Sequence, residues 1–110
     1  MTRTVLKHFT VDGGLGGEVW LYHNNGRVEL DDLYVPLAHR GQGIGKRLLS
    51  RALVYADVMN WPVWLRVQAF DAHVKAMSNE ALIAMYERHG FVRIPDTEEM
   101  LWQPPSMRVT

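Results

Sequence analysis

Six consecutive residues, Arg40-Gly41-Gln42-Gly43-Ile44-Gly45, have the types and the spacing to hold an anion. They lie between a strand-like run, residues 28–35, and an amphipathic run that reads as a helix over Ile44–Met59. Glycines at such a junction let the backbone turn tightly and leave no side chain in the way of a ligand. The first amides of the following helix have no intrahelical partners, and the helix dipole puts partial positive charge at the same end. That combination binds phosphate or pyrophosphate. Lys46 and Arg47 add full charges on the first turn. A glycine-rich turn between strand and helix also occurs as a plain structural connection, so the loop by itself does not name a ligand.

Two familiar phosphate loops do not fit. A Walker loop spaces its two glycines further apart and ends in Lys followed by Ser or Thr, whereas here Gly45 is followed by Lys46 and Arg47. The dinucleotide fingerprint needs a late third glycine and an acid about 20 positions on. The spacing Gly41-x-Gly43-x-Gly45 is too compact for it, and Trp64-Leu65-Arg66 carries no acid.

The elements that must position this loop can be read from period and punctuation. Residues 4–11 and 18–23 alternate as strands, and Asn24-Asn25-Gly26 is a hairpin turn because Asn and Gly tolerate positive φ. Residues 27–35 form a third strand whose apolar positions Val28, Leu30, Leu33 and Val35 break alternation between Leu30 and Leu33, the slip that a β-bulge produces. The helix from Ile44 carries Leu48, Leu49, Ala52, Tyr55, Ala56 and Met59 at helical spacing, and Asn60-Trp61-Pro62 stops it. Residues 63–70 are almost unbroken apolar and read as a central strand. A second helix over Asn79–Arg88 places Leu82, Met85 and Tyr86 on one face, with Gly90 at its C-terminal cap. Two short strands follow, 91–94 and 100–103, and the tail over 104–110 is expected to be loose. The order β-β-β-α-β-α-β-β predicts an α/β (α+β) fold, a mixed sheet with helices packed on it.

Composition narrows the function classes. The chain has 110 residues, 47% hydrophobic and 22% charged, which suits a single domain over residues 1–110. Its 12 Lys and Arg balance 12 Asp and Glu, so no overall field draws it to nucleic acid or to an anionic membrane. No apolar stretch approaches a membrane span, and no secretory signal pattern opens the chain. Without cysteine there is no disulfide framework, thiolate nucleophile or Cys-based zinc site. His8, His23, His73 and His89 share no metal-ligand spacing, and His39 beside Arg40 offers only charge. The expectation is a cytoplasmic protein that uses no metal.

Two blocks of the sequence match a known family. The run Leu30-Asp31-Asp32-Leu33-Tyr34-Val35-Pro36-Leu37-Ala38-His39-Arg40-Gly41-Gln42-Gly43-Ile44-Gly45 resembles the acetyl-CoA-binding motif of GNAT N-acetyltransferases. That motif reads Arg or Gln, two residues, Gly, one residue, Gly or Ala, and Arg40, Gly43 and Gly45 fill it. Residues 79–91 resemble the family's later motif, an Asn followed by a helix ending Tyr-x-x-x-Gly-Phe, with Tyr86, Gly90 and Phe91 in place. The blocks occur in family order with a strand between them, over roughly residues 4–103.

The resemblance implies a GNAT-like, mostly antiparallel sheet with splayed central strands, and acetyl-CoA as co-substrate. Amides from Gln42 to Gly45 would hold the pyrophosphate, with Arg40, Gly41 and Lys46 around them. Backbone groups of Leu33 and Val35 would pair with the pantetheine arm, and Asn79 would contact the cofactor. Tyr86 would protonate the leaving thiolate as general acid. The third strand offers three acids, Glu29, Asp31 and Asp32. The resemblance maps the base to Glu29, with Asp32 as second choice because a bulge could turn it into the cleft, or a relay to water. The oxyanion could be polarised by the amide of Val35. Tyr86 on an apolar helix face and Glu29 or Asp31 on a strand also have plain readings, as core and as solvated surface. Trp61 and Trp64 fit sheet packing, while Trp20 and Tyr22 would line an acceptor pocket if they face the cleft.

The chain departs from the family at its start, which opens almost on the second strand and omits the strand and helices that form a lip over the acceptor. Residues 71–78 lengthen a link that is usually short. They could replace that lip, or a second subunit could, which makes a homodimer one way to complete the site. Leu82 stands where the family has Ala. The implied activity is N-acetylation of a primary amine on a small molecule or a protein. The alternatives are a catalytically silent acyl-CoA-binding module and, against the charge balance, an acetyltransferase of charged tRNA.

Overall fold

Val19, Leu21, Val28 and Leu30 alternate with polar and aromatic neighbours along two adjacent strands, and this period of two decides which face of the sheet is covered. The computed structural model describes residues 3–67 and 78–108. It has β1 (Thr4–Val11), β2 (Gly17–Asn24) and β3 (Arg27–Tyr34), then helix α1 (Ile44–Met59) and β4 (Val63–Arg66). Helix α2 (Asn79–Arg88), β5 (Val92–Arg93) and β6 (Glu99–Trp102) follow. The six strands make one sheet in the order β1-β2-β3-β4-β6-β5. Every neighbouring pair is antiparallel except β3 with β4. This is the mixed sheet that the element order predicts, with the mostly antiparallel pairing that the family resemblance implies.

Element ends move by a residue or so from the sequence reading. The third strand stops at Tyr34 rather than Val35, before Pro36, which has no amide to donate. The strand expected over 63–70 is observed as β4 to Arg66, and Val67 still donates to the Glu98 carbonyl at 2.8 Å. Residues 68–70 lie outside the described residues, as do 71–77 of the 71–78 stretch that could replace the lip. The tail is anchored further than expected. Pro104 is fully buried, residues 105–107 form a 3-10 turn, and the Ser106 hydroxyl donates to Asn60 at 2.8 Å.

The expected bulge is present. Trp20 pairs with Asp31 and Glu18 with Tyr34, so three steps along β3 match two along β2. Asp32 takes up the extra residue with φ 54°, the left-handed conformation that Asp tolerates better than most residues. The bulge moves the core-facing positions from even to odd, so Val28 and Leu30 give way to Leu33 and Val35.

Both helices cover one face. α1 buries Ile44, Leu48, Leu49, Ala52, Leu53 and Ala56, and α2 adds Leu82, Met85 and Tyr86 to the same core. The other face carries Tyr22, Glu29, Trp64 and Leu101 as one continuous cross-strand row. No described helix is long and apolar enough to cross a membrane.

Gly17 shows what the turn sequence alone conceals. It has φ 141°, and a Cβ there would lie 2.9 Å from the Tyr34 carbonyl oxygen and 3.2 Å from Leu48. Only glycine lets the start of β2 pass under the bulge. Gly17→Ala is expected to cost about 2–4 kcal/mol from backbone strain and overlap together. Denaturant unfolding checks this, and a cost within the range of an ordinary surface change would refute the close approach.

Candidate active site

Among the described residues, β3 and β4 pair at two positions, Val28 with Val63 and Glu29 with Trp64. Beyond them the strands part, β3 continuing against β2 and β4 against β6. Parting parallel strands turn backbone amides and carbonyls toward the gap, where an extended ligand can pair with them.

A cavity of about 360 Å³ opens on the helix side of this gap. Leu33, Val35, Arg40, Gly41, Gly43, Ile44, Gly45, Lys46 and Tyr86 line it, drawing the two sequence blocks into one place. Gln42 is exposed on the same loop, and Asn79 is exposed at the start of α2; neither lines the cavity. Four lining residues that the sequence reading did not assign are His39, Leu82, Met85 and Arg88. Arg88 follows Met85 by three positions, the helical spacing that would have found it. Arg40, Lys46 and Arg88 gather positive charge here although the chain as a whole is neutral.

The loop fits a phosphorylated ligand. Gly41 and Gly43 have φ 82° and 76°, and a Cβ on either would meet nothing within 4 Å, so the backbone conformation selects glycine and the loop faces open space. The first intrahelical bond of α1 runs from the Arg47 amide to the Gly43 carbonyl at 3.1 Å. The amides of Ile44, Gly45 and Lys46 precede it and are available to an anion at the positive end of a 16-residue helix. The Arg40 Nε donates to the Val35 carbonyl at 2.9 Å and so ties the loop to the end of β3.

Tyr86 is 8% exposed and packs edge-on against Phe91 with ring centres 5.6 Å apart. Burial, and then the charge of Asp31, push its hydroxyl up to about 12. Like an ordinary tyrosine it holds its proton at neutral pH, the state a general acid needs.

The strand acids face different surroundings. Glu29 accepts from the Asn24 side-chain amide at 3.1 Å and from Arg27 at 3.0 Å. Arg27 also pairs with Glu99 and lies 4.6 Å over the Trp64 ring, clamping β3, β4 and β6 where the strands begin to part. Asp32 accepts from the Tyr22 hydroxyl at 3.1 Å. Burial, then this bond, raise the Tyr22 hydroxyl above its ordinary value. Asp31 pairs with Arg3 at 2.6 Å. Glu29 and Asp31 line a second cavity of about 320 Å³, with Arg27, Arg66 and Glu99. Of the acids, Asp31 is the one whose charge acts on Tyr86. Among the described residues, no group of His, Asp and Glu side chains could hold a metal ion.

The model of the acetyltransferase (GNAT) domain matches residues 6–93. Among solved structures, the anti-CRISPR protein AcrVA5 superposes with a TM-score of 0.71 at 23% identity, over 91% of this chain and 99% of that one. An acyl-CoA N-acyltransferase from Pseudomonas aeruginosa gives 0.63 at 29% identity, over 84% of this chain and 64% of its own. The PaiA N-acetyltransferase from Thermoplasma acidophilum, solved in complex with coenzyme A, gives 0.61 at 21% identity, over 86% of this chain and 57% of its own. This chain thus spans less than two thirds of the last two. A comparison with curated protein sequences finds no match.

The burial of Tyr86 has a consequence for stability. An unfolded tyrosine ionises near 10 and the folded one near 12. Between those values the folded state binds more protons, so stability falls as pH rises, by about 1.4 kcal/mol per pH unit. Denaturant unfolding across that window should show the fall in the parent and a shallower one in Tyr86→Phe. Equal slopes would refute the burial of this hydroxyl.

Proposed function

The chain belongs to the acetyltransferase (GNAT) family, whose domain model spans most of its length, and from that membership we propose that it transfers an acetyl group from acetyl-CoA to a primary amine. The acceptor is a small molecule or a protein, and residues 1–110 act as one catalytic unit. The observation that carries this reading is the convergence of the glycine loop and Tyr86 on one cavity where β3 and β4 part.

In this reading the amides from Gln42 to Gly45 hold the pyrophosphate at the N-terminus of α1. Arg40, Lys46 and Arg88 neutralise the phosphates, and Asn79 lies further along the cofactor. Backbone groups of Leu33 and Val35 hold the pantetheine arm as an added strand would. The amine first loses a proton to a strand carboxylate or to water. Its nitrogen lone pair then forms a bond to the thioester carbonyl carbon, and the carbon–sulfur bond breaks. The sulfur takes a proton from Tyr86, and the nitrogen releases its second proton to restore the phenol. One proton in total goes to solvent. Glu29 is the first choice for that carboxylate and Asp32 the second; Glu29, Asp31 and Asp32 each already accept a side-chain hydrogen bond, from Asn24 and Arg27, from Arg3 and from Tyr22, so their partners do not separate them.

Thiol release measured with a panel of amines tests the proposal. The parent protein should release coenzyme A with at least one amine, and Tyr86→Phe should lower kcat by about a hundredfold or more, with acetyl-CoA binding little changed. Cofactor binding without release for any amine would favour a silent acyl-CoA-binding module, and unchanged kcat in the Phe variant would remove Tyr86 from the reaction.

A further inference from the structure

Arg3 lies just ahead of β1, on the face of the sheet away from the helices. Its guanidinium carbon is 3.9 Å from the centre of the Tyr22 ring, and its Nη1 is 2.6 Å from Asp31 Oδ2. The floor under it is an aromatic stack. The Trp20 ring is 5.9 Å from Tyr22 and inclined by 11°, and His8 stacks on Trp20 at 3.6 Å. Asp32 fixes the Tyr22 hydroxyl from the side. A long cationic side chain thus lies on an aromatic face with its charge against a carboxylate, an arrangement that attracts a cation and accommodates an aliphatic stem.

The carboxylate concerned sits on β3 past Glu29, the last residue paired with β4, and two residues before Leu33, which lines the cavity holding Tyr86. Asp31 itself lines the second cavity, and its charge is felt by the Tyr86 hydroxyl. Glu29 has both oxygens engaged, by Asn24 and Arg27, within the strands of the sheet. The partner of Asp31 comes instead from a residue outside any strand, and the two side chains are 39% and 48% exposed. Such a pair is weak and easily displaced. A guanidinium stays protonated and has no free lone pair, so it can occupy this position without reacting. A primary ammonium on a similar stem would occupy it equally well and, once deprotonated, would be a nucleophile.

We infer that Tyr22 and Asp31 form the acceptor subsite, that it takes a primary amine at the end of an unbranched aliphatic chain, as in a lysine side chain, and that Arg3 holds the subsite as an unreactive stand-in. This rests on the acetyl-transfer reading above. Two variants test it, with Nα-acetyl-lysine amide as acceptor. Arg3→Ala removes the stand-in and should lower KM for this acceptor about five- to tenfold, the size an exposed ion pair and an exposed cation–π contact supply together. Arg3→Lys puts a reactive amine in the same place. Incubated with acetyl-CoA, that variant should acquire an acetyl group on the side chain at position 3, mapped by peptide mass spectrometry, at a rate independent of protein concentration. An unmodified position 3, with thiol release to other amines intact, would overturn the subsite and leave the acetyltransferase reading standing. Absence of release with every amine would overturn both.

Discussion

Two residue pairs, Val28 with Val63 and Glu29 with Trp64, hold β3 to β4 among the described residues, and the site depends on how briefly that parallel contact lasts. A longer ladder would close the gap between the strands and leave no edge for an extended ligand. A shorter one would leave the two halves of the sheet joined only through their helices. The Arg27 guanidinium secures the short contact, resting on Trp64 and pairing with Glu29 and Glu99, so three strands are tied together where two of them begin to separate.

The bulge at Asp32 works on the same region by changing the parity of one strand. Before it, even-numbered residues of β3 enter the core; after it, Leu33 and Val35 do so, and they become the floor of the cavity under the glycine loop. Gly17 permits the bulge, since any side chain there would strike the Tyr34 carbonyl. A glycine in one strand, an inserted residue in the next and a helix N-terminus beyond it therefore form one mechanical unit. Its two outer faces differ in chemistry. The helix side carries Arg40, Lys46, Arg88 and the buried Tyr86 phenol, and the open side carries the acids, their arginine partners and the aromatic stack.

This division explains how a chain with no net charge gathers cations at one cavity while its acids on the other face are paired with arginines. Arg40, Lys46 and Arg88 converge because the loop, the first turn of α1 and the end of α2 meet at one cavity. Glu29 and Asp31 converge on the far side because strand alternation sends them away from the core. Charge balance over the whole sequence carries no information about the field at the cavity, since a field of this range is set by neighbours within a Debye length.

Much of the fold was legible in the sequence because its signals are local. Period two for strands, helical spacing from Ile44, the Asn25-Gly26 turn and the broken alternation at Leu30 and Leu33 each depend on residues a few positions apart. The glycine turn of Arg40 to Gly45 was legible for the same reason, lying directly before a helix start. The tertiary structure alone decided what these parts do together. It brought Tyr86 from α2 beside a loop some forty residues earlier in the chain, and added Arg88 to the same cavity. It also distinguished three adjacent strand acids by their partners, Asn24 and Arg27 for Glu29, Arg3 for Asp31 and Tyr22 for Asp32. Apart from Arg27, which shares β3 with Glu29, those partners come from β2 or from the chain ahead of β1, and no local spacing places them. The sequence by itself determined most of the elements and the glycine turn at the start of α1; the register of β2 and β3 and the parting of β3 from β4 decided which side chains meet, because contacts across a sheet depend on pairing that no local pattern encodes.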